Sequence, residues 1–275
     1  MAWAAEPGTP APSRPARSAR RAAPTDDGVV LDATAWLASG ARPRLSVPVA
    51  PCPPPSGAGS GAGVRVALLA GAVDTTHPDL RGARVRTWSP GRSVQPAGSV
   101  RATAYATLLV GQGRAQLRGL VPAADLLVAP VLDQQDQWAD EVVARAVRWA
   151  IAERAAVVVL PFGRQHLGRR LTTTLREAVA GGARVFAAAG DLGPDVLAFP
   201  ASVTGVIAVT GHDEIGLLPG CSLHADLAAP GCDVPAGGGR GRTVLQGTAP
   251  AAVLAAGAYA ARVTELATRW SDGPT

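Results

Sequence analysis

The chain has 275 residues, 47% of them hydrophobic and 4% aromatic, with a formal net charge of +5. That length and apolar content fit one domain whose core is built from Ala, Val and Leu, with room for a tail. All the positive charge is arginine, dispersed except for a cluster at Arg14, Arg17, Arg20 and Arg21. There is neither zinc-finger spacing nor a basic stripe interleaved with aromatics, so nucleic acid is excluded as the expected partner.

Residues 1–63 read as a low-complexity amino-terminal extension. The first 27 are mostly Ala, Pro, Arg and Ser, with too little apolar surface to offset their ordering entropy. A short apolar segment follows within 28–48, carrying Val29-Val30-Leu31 and Ala35-Trp36-Leu37, placed to pack on the domain. Residues 49–63 read as a second linker, through Pro53-Pro54-Pro55 and Ser56-Gly57-Ala58-Gly59. From 64 to 270, apolar runs of strand length alternate with helix-length segments, and 271–275 form a tail. Strands are predicted at 64–69, 125–132, 156–160, 184–189 and 206–210. Helices are predicted at 102–111, at 140–153 with Val143, Val147 and Ile151 on one face, and at 171–180 before Gly181-Gly182. A long Ala-rich helix is predicted at 250–268, with Pro250 suited to its first turn. The pattern is that of an α/β fold in three layers, a parallel sheet flanked by helices. In such sheets the ligand site lies beyond the carboxyl ends of the strands.

The three cysteines, Cys52, Cys221 and Cys232, are odd in number and make no disulfide framework. Cys221 and Cys232 can pair if the loop between them folds back; free thiols in a reducing compartment are the simpler reading. The amino terminus lacks a charged region followed by an apolar one, and no run approaches about eighteen strongly apolar residues. Neither a signal peptide nor a membrane span is therefore expected, and a cytoplasmic location is.

Val73-Asp74-Thr75-Thr76-His77-Pro78-Asp79-Leu80, Gly119-Leu120-Val121-Pro122-Ala123-Ala124, Ala187-Ala188-Ala189-Gly190-Asp191 and Phe199-Pro200-Ala201, in this order and spacing, resemble segments of the subtilisin-like serine proteases, the subtilase or peptidase S8 family. Val73-Asp74-Thr75-Thr76-His77-Pro78-Asp79-Leu80 is similar to the stretch after that family's catalytic aspartate. Gly119-Leu120-Val121-Pro122-Ala123-Ala124 resembles its Gly-Val-Ala-Pro-x-Ala run. Ala187-Ala188-Ala189-Gly190-Asp191 resembles the Ala-Ala-Gly-Asn run that supplies the oxyanion asparagine. Phe199-Pro200-Ala201, leading to Val206-Ile207-Ala208-Val209, resembles the Tyr-Pro-Ala segment and the strand after it. The resemblance covers about 64–269 and implies a subtilisin-like fold.

Its centre departs from the family. Asp-Thr-Gly is replaced by Ala70-Gly71-Ala72, His-Gly-Thr by Arg101-Ala102-Thr103, and Gly-Thr-Ser by Gly247-Thr248-Ala249. The oxyanion position holds Asp191, and the substrate-lining Ser-Leu-Gly edge reads Pro161-Phe162-Gly163. Ala249 has no hydroxyl with which to form an acyl-enzyme. Arg101 stays protonated and is no general base. Ala70 cannot orient a base, and an ionised Asp191 accepts hydrogen bonds only.

The expected function is that of an inactive subtilisin-like pseudoprotease whose groove binds a peptide or protein partner. The cleft candidates are Arg101, Pro161, Phe162, Gly163, Asp191 and Thr248. That partner would be an active protease or a peptide-modifying enzyme, in a setting such as peptide maturation. Pro161 removes one backbone donor from the receiving edge, and Arg101 favours an acidic ligand, offset by Asp191. The alternative is an active S8-type serine endopeptidase with a shifted or rebuilt site, but Ser99, Ser202 and Ser222 lie outside any Gly-Thr-Ser frame. A relocated site would draw on Asp74, His77 and Asp79, on His212, Asp213 and Glu214, or on a Cys221–His224 thiol with Ser222 nearby; a structural role for these residues is the simpler reading. A third possibility is an assembly role, with the basic tail recruiting an acidic partner. Trp138 and Trp149 read as packing residues. No cofactor or metal is expected. Zinc lacks ligand spacing, Gly237-Gly238-Gly239 has no phosphate-loop frame, and the calcium that family members hold in loops maps to no ligand set here.

Overall fold

The computed structural model describes residues 31–39, 49–52, 60–89, 99–239 and 241–271. The arginine cluster at Arg14, Arg17, Arg20 and Arg21, the Pro53-Pro54-Pro55 stretch and the tail beyond 271 lie outside the described residues. In chain order come β1 (Leu31–Asp32), α1 (Ala33–Ser39), β2 (Ala50–Pro51), β3 (Arg65–Ala70), β4 (Arg84–Thr87), α2 (Val100–Val110) and β5 (Leu117–Arg118). Then follow β6 (Asp125–Pro130), α3 (Asp140–Ala152), β7 (Val157–Leu160), α4 (Arg169–Ala180), β8 (Arg184–Ala188) and β9 (Ile207–His212). Last come β10 (Leu227–Pro230), β11 (Val234–Gly238), β12 (Gly241–Leu245) and α5 (Thr248–Ser271).

Alternate residues of the central strands enter two different cores. Val66, Leu68 and Ala70 of β3 join one, with residues of α1, α2 and α5; Ala67 and Leu69 join the other, with residues of α3 and α4. Strands β6 and β7 divide in the same way. Burial on both faces is what continuous apolar strands demand of a parallel sheet. The main sheet runs β2-β10-β9-β8-β7-β3-β6-β4, every neighbouring pair parallel. This is the predicted α/β fold, a parallel sheet between two helical layers. With few aromatics, close approach fills the space. Ala251, Ala252, Ala255 and Ala258 of α5 are buried, and a Cβ on Gly257 would stand 2.6 Å from Leu120 Cδ1.

Helices α1 and α2 begin where a side chain caps them. Ser99 Oγ accepts from the Ala102 N–H at 3.1 Å, starting α2 at Val100, ahead of the predicted 102. Helix α5 starts at Thr248, ahead of the predicted 250, for a reason found in the site below. The weakly patterned strands were not predicted. Strand β4, Arg-Val-Arg-Thr, is mostly exposed at the sheet edge, where Arg84 pairs with Asp125 and Arg86 with Glu153. The β11–β12 hairpin is glycine-rich, and β10 is short. Within the stretch read as a second linker, Ala50–Pro51 adds an edge strand on β10. In the apolar segment before it, Asp32 Oδ1 caps α1 by accepting from Thr34 and Ala35, and Ala33 and Leu37 enter the core.

Candidate functional site

Strand β3 lies between β6 and β7, so the loops leaving these strands border the position where β3 ends. Ala70 is that end, buried, its carbonyl accepting from Val131 at 2.7 Å and Leu132 at 3.1 Å. The next residue touches the start of α2: a Cβ on Gly71 would stand 2.8 Å from Ser99 Cβ and 3.6 Å from Ala102 Cβ. Arg101, in the first turn of α2, is exposed, and its Nη1 pairs with Asp136 Oδ2 at 2.9 Å, in the loop after β6. The sequence reading had Arg101 favouring an acidic ligand, offset by Asp191; its ion-pair partner is Asp136, which that reading missed. One turn along, Tyr105 is buried, and burial raises its phenol pKa. Arg101 works against that shift, while Asp136 and Asp191 add to it, which places both carboxylates near this helix end.

Asp191 follows β8 and reaches the start of α5. Its Oδ1 accepts from the Thr248 N–H at 3.3 Å, and its Oδ2 from the Thr248 hydroxyl at 3.5 Å. Thr248 Oγ1 in turn accepts from the Gly190 N–H at 3.2 Å. The carboxylate therefore supplies the helix start with an acceptor and a charge favourable to its dipole, and α5 can begin at Thr248. Gly247, at φ 98°, permits the approach: a Cβ there would lie 3.0 Å from Asp191 Oδ2. Cys221 Sγ also donates to Asp191 Oδ1, at 3.1 Å. Ala249 stands one residue into the helix, partly buried against the core that Ala70 joins.

The loops after β6 and β7 are joined across the end of β3. Trp138 and Phe162 have ring centroids 4.6 Å apart. The Arg164 guanidinium lies 4.9 Å from the Trp138 ring and pairs with Asp140 Oδ1 at 2.7 Å. Arg164 also exchanges backbone hydrogen bonds with Phe199, at 2.9 and 2.8 Å. Pro161, Phe162 and Gly163 thus belong to a loop pinned on both sides, just beyond the end of β7. The Trp138 indole N–H is buried and has no hydrogen-bond partner.

The other candidate groups are engaged locally. Buried Asp79 accepts from the backbone N–H groups of Ala115, Gln116 and Leu117. His77 Nδ1 accepts from the Asp79 N–H, and Asp74 accepts from Thr76, whose hydrogen bonds lower its carboxyl pKa. Asp213 accepts from Ile215 and Gly216, while burial lowers the His212 pKa. Cys221 bonds to Asp191 in place of His224, and burial first, then that carboxylate, push its thiol up to about 12. That is the reverse of an activated thiolate. None of the three cysteines is in a disulfide. Among the described residues, no group of three or more His, Cys, Asp or Glu could hold a metal, and no helix is long and apolar enough to cross a membrane.

Comparison with known proteins agrees with the fold. The profile of the Subtilase family, Peptidase_S8, matches residues 61–272. The chain is 29% identical over 182 residues to a thermostable alkaline protease of Halalkalibacterium halodurans, covering 62% of this chain and 48% of that protein. It thus spans about half that relative's length. It is 28% identical over 214 residues to subtilisin BL of Lederbergia lenta, covering 76% of this chain and 79% of the relative. Among solved structures, the patellamide maturation protease PatA is similar at a TM-score of 0.68 and 26% identity, over 76% of this chain and 81% of that one. The prenylagaramide maturation protease PagA shares the fold at a TM-score of 0.69 and 24% identity, over 75% of this chain and 77% of that one.

Proposed function

The chain belongs to the subtilase family, peptidase S8, and from that premise we propose that it is a catalytically inactive member that binds a peptide or protein partner. One observation carries the reading. The positions that would hold the family's aspartate, histidine, serine and oxyanion asparagine are Ala70, Arg101, Ala249 and Asp191, and the two charged ones are already engaged, Arg101 with Asp136 and Asp191 with Thr248. In subtilisin, removing one triad member lowers the rate by roughly 10⁴–10⁶, and removing the oxyanion donor costs about 2.7–4 kcal/mol. Here Asp191 presents acceptors where a developing oxyanion needs donors. Both of its oxygens already face the start of the helix at Thr248.

The fold keeps what binding needs. Loops from β6, β7 and β8 meet at the carboxyl edge of a parallel sheet, the usual place for a ligand. The similar solved structures include two maturation proteases. A place beside an active protease or a peptide-modifying enzyme follows as part of the proposal. A reducing, cytoplasmic setting fits a Cys221 thiol that is occupied by Asp191. The active-enzyme alternative gains no nucleophile from the serines nearby: Ser99 caps α2, and Ser222 is buried, its Oγ accepting from His224.

A peptide-hydrolysis assay on a casein-like substrate tests the inactive reading. No turnover above buffer is expected. Turnover abolished by a serine-directed inhibitor would overturn the proposal.

A further inference from the structure

On the face covered by α3 and α4, across the sheet from the core that holds Ala70 and packs Ala249, lies a concave site of about 510 Å³. It is lined by Arg148, Arg169, Arg170, Thr173, Thr174 and Glu177. Arg169 and Arg170 open α4, and the side-by-side packing of α3 and α4 brings Arg148 beside them. Arg148 is held from behind. Its Nη1 donates to Thr174 Oγ1 at 3.0 Å, and that buried hydroxyl donates on to the Arg170 carbonyl at 3.2 Å. Glu141 lies beside the site, 3.7 Å from Arg148 Nη2 and hydrogen-bonded to Arg170 Nη1. Arg169 has no ion-pair partner among the described residues.

Each guanidinium presents five donors, far more than Glu141 and Glu177 can accept. The amino terminus of α4 lies at the same rim, with no side-chain cap at Gly168, though the Asp140 carboxylate stands against Gly168 and offsets the partial positive charge there. We propose that this is a binding site for the carboxylates of an acidic peptide segment carried by a partner protein. Guanidinium forks match carboxylates two oxygens at a time. The donors are concentrated in one concavity, and no aromatic ring lines it to stack on a base, which favours a peptide over a nucleic acid. The chain's own amino-terminal segment is no candidate, since its Arg14, Arg17, Arg20 and Arg21 carry the same sign. The site does not depend on the cleft, so either can fail without the other.

Calorimetric titration of the full chain at low salt with a capped hexaglutamate peptide tests it, alongside hexaglutamine, inorganic phosphate and a short DNA duplex. Saturable binding of hexaglutamate alone is expected, weakening as salt is raised. Arg169→Ala should weaken it about tenfold and Glu141→Gln strengthen it about threefold. Arg114→Ala, on the exposed turn between α2 and β5, should change nothing. If Arg169→Ala melts early, the opposite effect of Glu141→Gln still reads the same site. The proposal is overturned if hexaglutamate does not saturate, if neither Arg169→Ala nor Glu141→Gln changes its affinity, or if phosphate or the duplex binds more tightly.

Discussion

The Asp191 carboxylate is shared between the start of α5 and the Cys221 thiol, and both contacts give it a measurable signature. Asp191→Asn keeps an acceptor for Thr248 but removes the charge, so the domain should lose about 0.3–1 kcal/mol in urea denaturation. The Cys221 thiol should lose part of its upward shift and react faster with a disulfide reagent at mildly alkaline pH; an unchanged rate would show that Asp191 does not hold its proton. Asp79→Ala should be more damaging. Three backbone N–H groups would be left without their carboxylate, costing about 3 kcal/mol or more in thermal or urea unfolding, with no effect on any chemistry. In sequence, Asp74, His77 and Asp79 stand as close as an acid–base cluster. Their hydrogen bonds distinguish them: Asp74 and His77 bond within the turn, while Asp79 holds the backbone of Ala115, Gln116 and Leu117. Ala70, Arg101 and Ala249 were singled out by the motifs around them, and their standing at the triad positions belongs to the proposal. Asp136 was not, since nothing in Asp133-Gln134-Gln135-Asp136-Gln137 announces a partner across the fold.

The strands and helices of the sheet core were legible because both faces are buried, which leaves long apolar runs between helical spacings. Strand β4 and the β11–β12 hairpin were not, because edge charge and glycine mask the pattern. Nor did the sequence disclose the joint between the β6 and β7 loops, because Trp138 and Phe162 are separated by a helix and a strand and meet only once β3 lies between their strands. That joint contains a buried indole N–H with no partner. Trp138→Phe keeps an aromatic ring against Phe162 and deletes the orphan donor, so the melting temperature should rise, by the equivalent of about 1 kcal/mol. A fall would mean that the donor is satisfied in solution. Arg164→Ala removes both the Asp140 pair and the contact over Trp138, and should cost about 1–2 kcal/mol.

For the whole molecule, the Cys52 and Cys221 thiols should weaken stability on the alkaline side. Burial raises Cys52 from 9.0 to about 11 and Cys221 from 9.0 to about 12. A thiol with a raised folded pKa stays protonated in the native state while the unfolded chain ionises. The stabilisation is complete below 9.0 and is lost as pH rises towards about 11 and 12. The urea midpoint should therefore fall from pH 9 upward, and Cys221→Ala should flatten the fall; a midpoint that rises across that window would contradict the assignment. The chain keeps the subtilase sheet, and at its carboxyl edge Asp191 is hydrogen-bonded to Thr248 and Arg101 is paired with Asp136. The most direct measurement is the intact mass of the wild-type chain after exposure to a fluorophosphonate that labels activated serines. No added mass is predicted, because Ala249 offers no hydroxyl. A single stoichiometric adduct would contradict the account.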